Sequence, residues 1–142
     1  MRRRDALLAG LGALAAAPAA AGGPSRGSSS ELVGIDLPAV GLPVVVEGRV
    51  RNYVFVTVRL MISPSADQQA VRAKEPYFRD ALVKAGHRTP FTLANDWTQL
   101  DAGRISAAVM AAAPAIARRG AVRQAVVALQ APRRRTGMRR PG

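Results

Sequence analysis

The sequence has no cysteine, a single histidine and few aromatic residues. The absence of cysteine excludes disulfides, lipoprotein-type acylation and thiol chemistry, and it is compatible with an oxidising compartment. Because His87 is the only histidine, a His-rich metal site is impossible, and a Ser-His-Asp arrangement would have to use this one ring. His87 follows Gly86, which we expect to end a helix, so the sequence predicts a solvated loop position for it.

The apolar content favours one domain with a thin core. Apolar residues make up 49% of the 142 residues, which is enough for a single core. Many of them are alanines, and aromatic residues contribute only 4%. Since alanine buries little area, we expect only modest stability.

The net charge of +12 is concentrated near the two ends of the chain. Residues 31–132 carry a net charge of only +4, so the predicted domain is mildly basic. We expect residues 132–142 to form a disordered basic tail that either solubilises the protein or contacts an anionic surface. The arginines of this tail are Arg133, Arg134, Arg135, Arg139 and Arg140. Nucleic acid is not an expected partner, because the domain lacks the interleaved aromatics of a base-stacking surface.

Residues 1–21 have the three parts of an export signal. Arg3 and Arg4 lie in a basic start, an apolar stretch follows, and Ala19 and Ala21 form an A-x-A cleavage site. The arginine pair and the weakly apolar core resemble a twin-arginine signal, which predicts a periplasmic protein. A general secretory signal and an uncleaved anchor are the alternatives. A retained signal would leave the protein associated with the membrane.

The pattern of the remaining chain predicts a domain over residues 43–131, preceded by a flexible linker and extended lead-in over residues 22–42. Tyr53–Ile62 is expected to be the central strand, with a uniformly apolar face and a mixed face. A first strand over Pro43–Val50 would pair with it through a turn near Arg51–Asn52, and Gly48 suggests a bulge.

Two helical segments and a last strand follow. The first helix is expected over Ala66–Ala85, capped by Ser65, with Pro76 causing a kink or separating two helices near Glu75. Asp101 is expected to cap a helix over Ala102–Ala117, with Gly120 at its C′ position. A strand over Ala121–Ala131 would then pair with the central strand, its residues alternating strictly between two faces.

We therefore expect an α+β fold in which two helices cover one face of a small, mainly antiparallel sheet. Phe78 and Leu82 should pack on the central strand, and Phe91 should matter less because it lies in a connection.

The order of these elements resembles the periplasmic domain of the FliL family of flagellar basal-body-associated proteins. The resemblance lies in four segments: Tyr53–Ile62, the Pro-x-x-Arg-Asp motif in Pro76–Leu82, Leu100–Ala117 and Val122–Gln130. It implies a stomatin-like domain and an assembly around the stator units of the flagellar motor. This sequence departs from the family pattern in two ways. A typical member keeps an uncleaved transmembrane helix, whereas this chain is expected to have a cleavable signal, and it adds an arginine tail that the family pattern does not require.

No residue cluster predicts catalysis, a metal or a cofactor. Asp80, Asp96 and Asp101 could serve as paired carboxylates, but a helix-face charge, a turn residue and a cap are the simpler interpretations. The resemblance implies a non-enzymatic protein that acts by protein–protein contact near the flagellar motor. The sequence leaves open whether the protein also forms homo-oligomers. The alternative is an envelope-binding module, unrelated to motility, that contacts anionic surfaces through its arginine tail.

Overall fold

The computed structural model describes residues 31–135 as a four-stranded antiparallel sheet with three helices. The predicted export signal, with Arg3, Arg4, Ala19 and Ala21, lies outside the described residues, and so do Arg139 and Arg140. The elements, in chain order, are β1 (Val33–Asp36), β2 (Val40–Val46), β3 (Arg49–Ile62), α1 (Gln68–Ala73), α2 (Glu75–Arg88), α3 (Ala102–Ile116) and β4 (Val122–Pro132). The predicted α+β class is therefore confirmed.

Strand β3 is the centre of the sheet because it pairs with each of the other three strands. Strand β1 lies along Arg59–Ile62, β2 along Arg49–Val56, and β4 along Val54–Ile62. Since β4 shares its β3 partners with both β1 and β2, it must occupy the opposite edge. Strands β1 and β2 therefore follow one another along one edge of β3, and β4 forms the other.

The predicted faces of the central strand are confirmed. Its apolar face is at most 1% exposed and consists of Val54, Val56, Val58, Leu60 and Ile62. Helix α2 packs over β2 and helix α3 over β4, so the two helices close over this face from both sides. Phe78 and Leu82 of α2 are each 1% exposed, as expected for the core, but their helix lies above β2 rather than directly above β3.

The predicted pairing of the first strand with the central strand is observed, but the strand and its turn were both predicted too late in the chain, since β2 ends at Val46 rather than Val50. The turn lies at Glu47–Gly48, and β2 begins at Val40 rather than Pro43. Both turn residues have positive φ, 53° and 72°, as two-residue hairpin turns of the primed kind require. Gly48 is thus a turn residue, and the bulge lies between Val44 and Val45.

The two ends of the sheet extend beyond the predicted boundaries of residues 43 and 131. Strand β1 forms within the predicted lead-in, because the apolar Val33 and Ile35 alternate with polar or small residues and pair with the end of β3. Strand β4 includes Pro132, and Arg133 N donates to Tyr53 O at 2.8 Å. The tail predicted from residue 132 therefore begins as an extension of the sheet.

The first helical segment is two helices that meet at Lys74, which was one of the two predicted outcomes. Pro76 lies in the first turn of α2, where its missing N–H costs no hydrogen bond. Asp67 caps α1 by accepting from Gln69 N and Ala70 N, so the predicted Ser65 cap was wrong. Serine and aspartate are both good N-cap residues, so residue type alone does not distinguish Ser65 from Asp67.

Helix α2 continues through Gly86 to Arg88, contrary to the predicted end at Gly86. A Cβ at Gly86 would lie 3.1 Å from Leu42 Cδ2 and 3.4 Å from a ring carbon of Phe91. The glycine therefore permits close packing within the helix instead of ending it. Phe91 is only 4% exposed although it lies in a connection, so its position outside the helices does not keep it out of the core.

Helix α3 and strand β4 match their predicted extents closely, and Asp101 caps α3 by accepting from Arg104 N at 3.1 Å. Gly120 lies beyond the C-cap residue Ala117, so it is not at C′. Two register shifts in the β3–β4 pairing disturb the predicted alternation of β4. As a result Ala125 is buried, while Val126 and Leu129 are exposed on the face away from the helices.

Candidate functional site

The three carboxylates that were considered for catalysis each have a structural partner. Asp80 forms an ion pair with Lys84 at 2.8 Å on the surface of α2, and Asp101 caps α3. Asp96 accepts from the side chain and the backbone N–H of Thr98, at 2.6 and 2.8 Å, and these hydrogen bonds lower the pKa of Asp96. The predicted roles of helix-face charge, turn residue and cap are all observed.

His87 lies in the last turn of α2, so the predicted loop position was wrong, although the residue is exposed. Its Nδ1 lies 2.8 Å from Val83 O, the carbonyl one turn earlier in the helix. Among residues 31–135, no group of three or more His, Cys, Asp or Glu side chains could hold a metal ion. No helix in this part of the chain is long and apolar enough to cross a membrane.

The sheet face opposite the helices carries an apolar patch, which we call the outer sheet face. Its large apolar residues are Tyr53, Phe55, Val126 and Leu129, with exposed fractions of 37%, 44%, 39% and 60%. Leu129 pairs with Thr57 and Val126 with Arg59, so the four residues lie on two adjacent strands and on one surface. Phe55 is the diagonal neighbour of Leu129 across the two strands, which is close enough for a phenyl ring and a leucine side chain to touch.

On the outer sheet face, one ring lies over a neighbouring glycine and one charged pair is compensated. Gly41 lies opposite Phe55, and a Cβ at Gly41 would come within 3.3 Å of the phenyl ring, so the ring occupies the space above β2. Arg59 donates to Asp36 across the β1–β3 pair, with Nε–Oδ1 and Nη2–Oδ2 distances of 2.6 and 3.0 Å. These charge-assisted hydrogen bonds lower the pKa of Asp36 and raise the pKa of Arg59, so both groups stay ionised.

A second surface, which we call the basic groove, lies where β3 ends and β4 begins. It is a cavity of about 620 Å³ between α1, the loop before it and the connection from α3 to β4. Four cationic side chains and one carboxylate, Asp67, line it. The cationic residues are Lys74, Arg118, Arg119 and Arg123.

The described arginines of the tail lie at the other end of the sheet. Asn52, only 5% exposed, accepts from Arg134 N at 3.1 Å and donates to Arg134 O at 3.0 Å. The same Asn52 amide donates to Trp97 O at 2.9 Å, so it connects the tail to the loop before α3. Arg133, Arg134 and Arg135 are exposed, and they are separated from the basic groove by the length of β4.

Sequence reasoning missed both surfaces for the same reason. Strict alternation along β4 could not place Val126 and Leu129 together, because the bulges change which residues share a face. Arg118 and Arg119 directly precede Gly120, and this pair was a signal for a charged turn after α3. Only the folded chain brings this turn beside α1.

In comparisons with known proteins, the chain matches no family model, no curated protein and no solved structure. The stomatin-like and FliL-like resemblance therefore stays a prediction from the sequence pattern.

Proposed function

We propose that the protein is a non-enzymatic, exported periplasmic protein that acts by protein–protein contact near the flagellar motor, as the FliL resemblance implies. The observation that carries the contact function is the outer sheet face, where Phe55 and Leu129 are 44% and 60% exposed. Contiguous apolar patches on a folded domain commonly mark interaction surfaces, since burying them in a partner releases water. The proposed occupant is an apolar surface of a motor stator protein.

The ion pair beside the patch supports a protein partner. Asp36 and Arg59 compensate each other's charge there, so neither group presents an unpaired charge to an apolar partner surface. The open edge of β4 adds backbone groups to which a partner strand could bind, in addition to the apolar contact.

The test is complementation of a deletion strain of the source organism with outer-face variants. The double variant Phe55→Ser, Leu129→Ser should lose swimming in soft agar while keeping its cellular level and its circular-dichroism spectrum. The control Tyr77→Ser removes an aromatic residue that is 60% exposed on helix α2, and it should swim normally.

A photo-cross-linker at Thr57, between Phe55 and Leu129 on this face, should react with a stator protein in cells that carry the wild-type chain. Normal swimming of the deletion strain would refute the motility role. Equal defects in the control variant would refute the role of the outer sheet face.

Export is a premise of this function and has its own test. A twin-arginine translocase reads the arginine pair specifically, whereas the general secretory route tolerates lysine. The variant Arg3→Lys, Arg4→Lys should therefore remain in the cytoplasm on fractionation. Normal export of this variant would assign the signal to the general route and leave the rest of the proposal intact.

A second candidate function, binding to anionic surfaces of the cell envelope, is favoured by the anchoring of the tail. Because Asn52 holds the backbone of Arg134, Arg133–Arg135 start from a defined point on the domain surface. Three cations at one place can attract a charged bilayer by about 1 kcal/mol each. Retention on anionic vesicles that depends on these arginines, without any effect of the outer-face variants on swimming, would favour this candidate.

A further inference from the structure

The basic groove has the size and the lining of a ligand site. Its volume of about 620 Å³ falls within the roughly 300–1,000 Å³ typical of small-molecule pockets. The apolar part of the lining, which we call the floor, includes Ala70, Val71 and Ile116, and three of the four cationic residues belong to the α3–β4 connection and the start of β4. An apolar floor with charge on one side suits a ligand that has both a charged and an apolar part.

The positive charge of the groove comes chiefly from three arginines. Lys74 also lines the groove, but its ammonium lies 5.1 Å from the centre of the Tyr77 ring. This cation–π contact holds the ammonium near the ring. Within residues 31–135, Arg118, Arg119 and Arg123 form no ion pair, and the three observed pairs lie elsewhere. The carboxylate of Asp67 accepts from Gln69 N and Ala70 N, so it is engaged in capping α1.

Backbone hydrogen bonds fix the chain positions of these arginines, whose side chains are exposed. Arg118 O accepts from Ala121 N at 2.9 Å, which closes a turn that contains Gly120 with a φ of 83°. Arg123 is the extra residue at the register shift between Met61 and Ile62, and a bulge of this kind redirects a side chain. Ser63 N donates to Ala121 O at 2.9 Å, which connects the segment after β3, on the other side of the groove, to the same turn.

We propose that the basic groove binds the phosphate group of an organic molecule, whose apolar part packs on the groove floor. Three guanidinium groups can surround the oxygens of a phosphate, which carries a charge of about −1.5 to −2 at neutral pH. The cavity is larger than a bare phosphate needs, and the apolar part of the ligand can fill the remaining volume against the floor. The phosphate can come from a soluble phosphomonoester or from a lipid headgroup. This site is independent of the outer sheet face and of the motility proposal.

The test measures binding of the full-length protein to inorganic phosphate, butyl phosphate and phosphatidic acid vesicles. Calorimetry should show butyl phosphate binding more tightly than inorganic phosphate, because only butyl phosphate can cover the apolar floor. Vesicle binding that is stronger than butyl phosphate binding, and that Ala70→Trp weakens, would identify the lipid headgroup as the source, because this variant keeps all the arginines of the tail. The reverse order would identify a soluble ester.

Three variants separate the groove from the general positive charge of the protein. Arg118→Gln with Arg123→Gln should weaken butyl phosphate binding about tenfold or more, since hydrogen bonds to charged groups are lost. Ala70→Trp should weaken it to a similar degree by filling the groove, although the net charge is unchanged. The charge-matched control Arg49→Gln with Arg79→Gln removes two exposed arginines outside the groove and should change the affinity less than twofold.

Circular dichroism and thermal unfolding of each variant establish that the domain is still folded. The proposal is overturned if the wild type binds none of the three probes. It is also overturned if the control weakens binding as much as the groove variants do, or if folded Ala70→Trp protein binds as tightly as the wild type.

Discussion

The side-chain amide of Gln130 in β4 makes two hydrogen bonds with the backbone of Leu100, in the connection before α3. Its Oε1 accepts from Leu100 N at 2.7 Å, and its Nε2 donates to Leu100 O at 3.1 Å. Leu100 is 2% exposed, and Thr92, its partner in an isolated bridge, accepts from Val45 N at 3.0 Å. Gln130 thus attaches the connection between α2 and α3 to β4, and Thr92 attaches it to β2.

We expect Gln130→Leu to destabilise the domain although it adds an apolar side chain near the core. Each backbone group of Leu100 that is left buried without a partner should cost about 1–3 kcal/mol in the free energy of unfolding. Urea denaturation measures this change. The control Gln124→Leu replaces an exposed glutamine of the same strand and should have little effect, so equal losses in the two variants would refute the role of Gln130.

Phe78 should be among the most sensitive positions of the core. It is 1% exposed, and truncating a buried phenylalanine costs about 3–5 kcal/mol, a large share of the stability of a small domain. We expect Phe78→Ala to unfold the domain or to lower its thermal midpoint strongly. Phe91→Ala should also be costly because Phe91 is buried, whereas Phe55→Ala on the outer sheet face should be tolerated. A Phe78→Ala protein as stable as Phe55→Ala would contradict the packing of α2.

Asp96 should contribute stability that depends on pH. Its pKa is lowered from the ordinary value of 3.8 by hydrogen bonds from Thr98, so the folded state favours the ionised carboxylate. This contribution is present above the unfolded-state pKa and is lost as the pH falls through the lower folded-state pKa. The stability advantage of the wild type over Asp96→Asn should therefore shrink as the pH falls from neutral to below 3.8. Unfolding by urea at several pH values measures it, and an advantage that grows in acid would refute the assignment.

Two truncations should separate the structural and electrostatic parts of the tail. Removing residues 136–142 keeps the hydrogen bonds of Arg133 and Arg134 to Tyr53 and Asn52, so the free energy of unfolding should change little. Removing residues 133–142 leaves the buried Asn52 amide with fewer partners and should cost about 1–3 kcal/mol. Both truncations should lower retention on anionic vesicles at low salt, the longer one more. Equal stability of the two truncated proteins would show that the Asn52 contacts with Arg134 are unimportant.

Periodicity predicted the elements whose burial has a simple pattern. The alternation of Val54, Val56 and Val58 identified the central strand and its buried face, and Asp101 identified the start of α3. The position of β4 beside β3 was also predicted, because a strand after two helices has few other places to pair. These features follow from local backbone geometry and from the need to bury one face.

The details that failed depend on contacts between distant residues. Glu47 adopts positive φ, which its residue type disfavours, because the pairing of β2 with β3 leaves it at the tip of the hairpin. Gly86 stays within a helix because Leu42 and Phe91 pack against it. No local propensity includes such contacts.

The sequence alone determined the α+β class, the order of the main elements and the buried face of the central strand, because the period of the apolar residues matches the geometry of each element. Only the tertiary structure decided where side chains collect on the surface. The bulges in β4 place Val126 and Leu129 on the outer sheet face, and the α3–β4 turn carries Arg118 and Arg119 to α1. Both arrangements arise when segments far apart in the chain pack together, and hydrophobic periodicity contains no information about that packing.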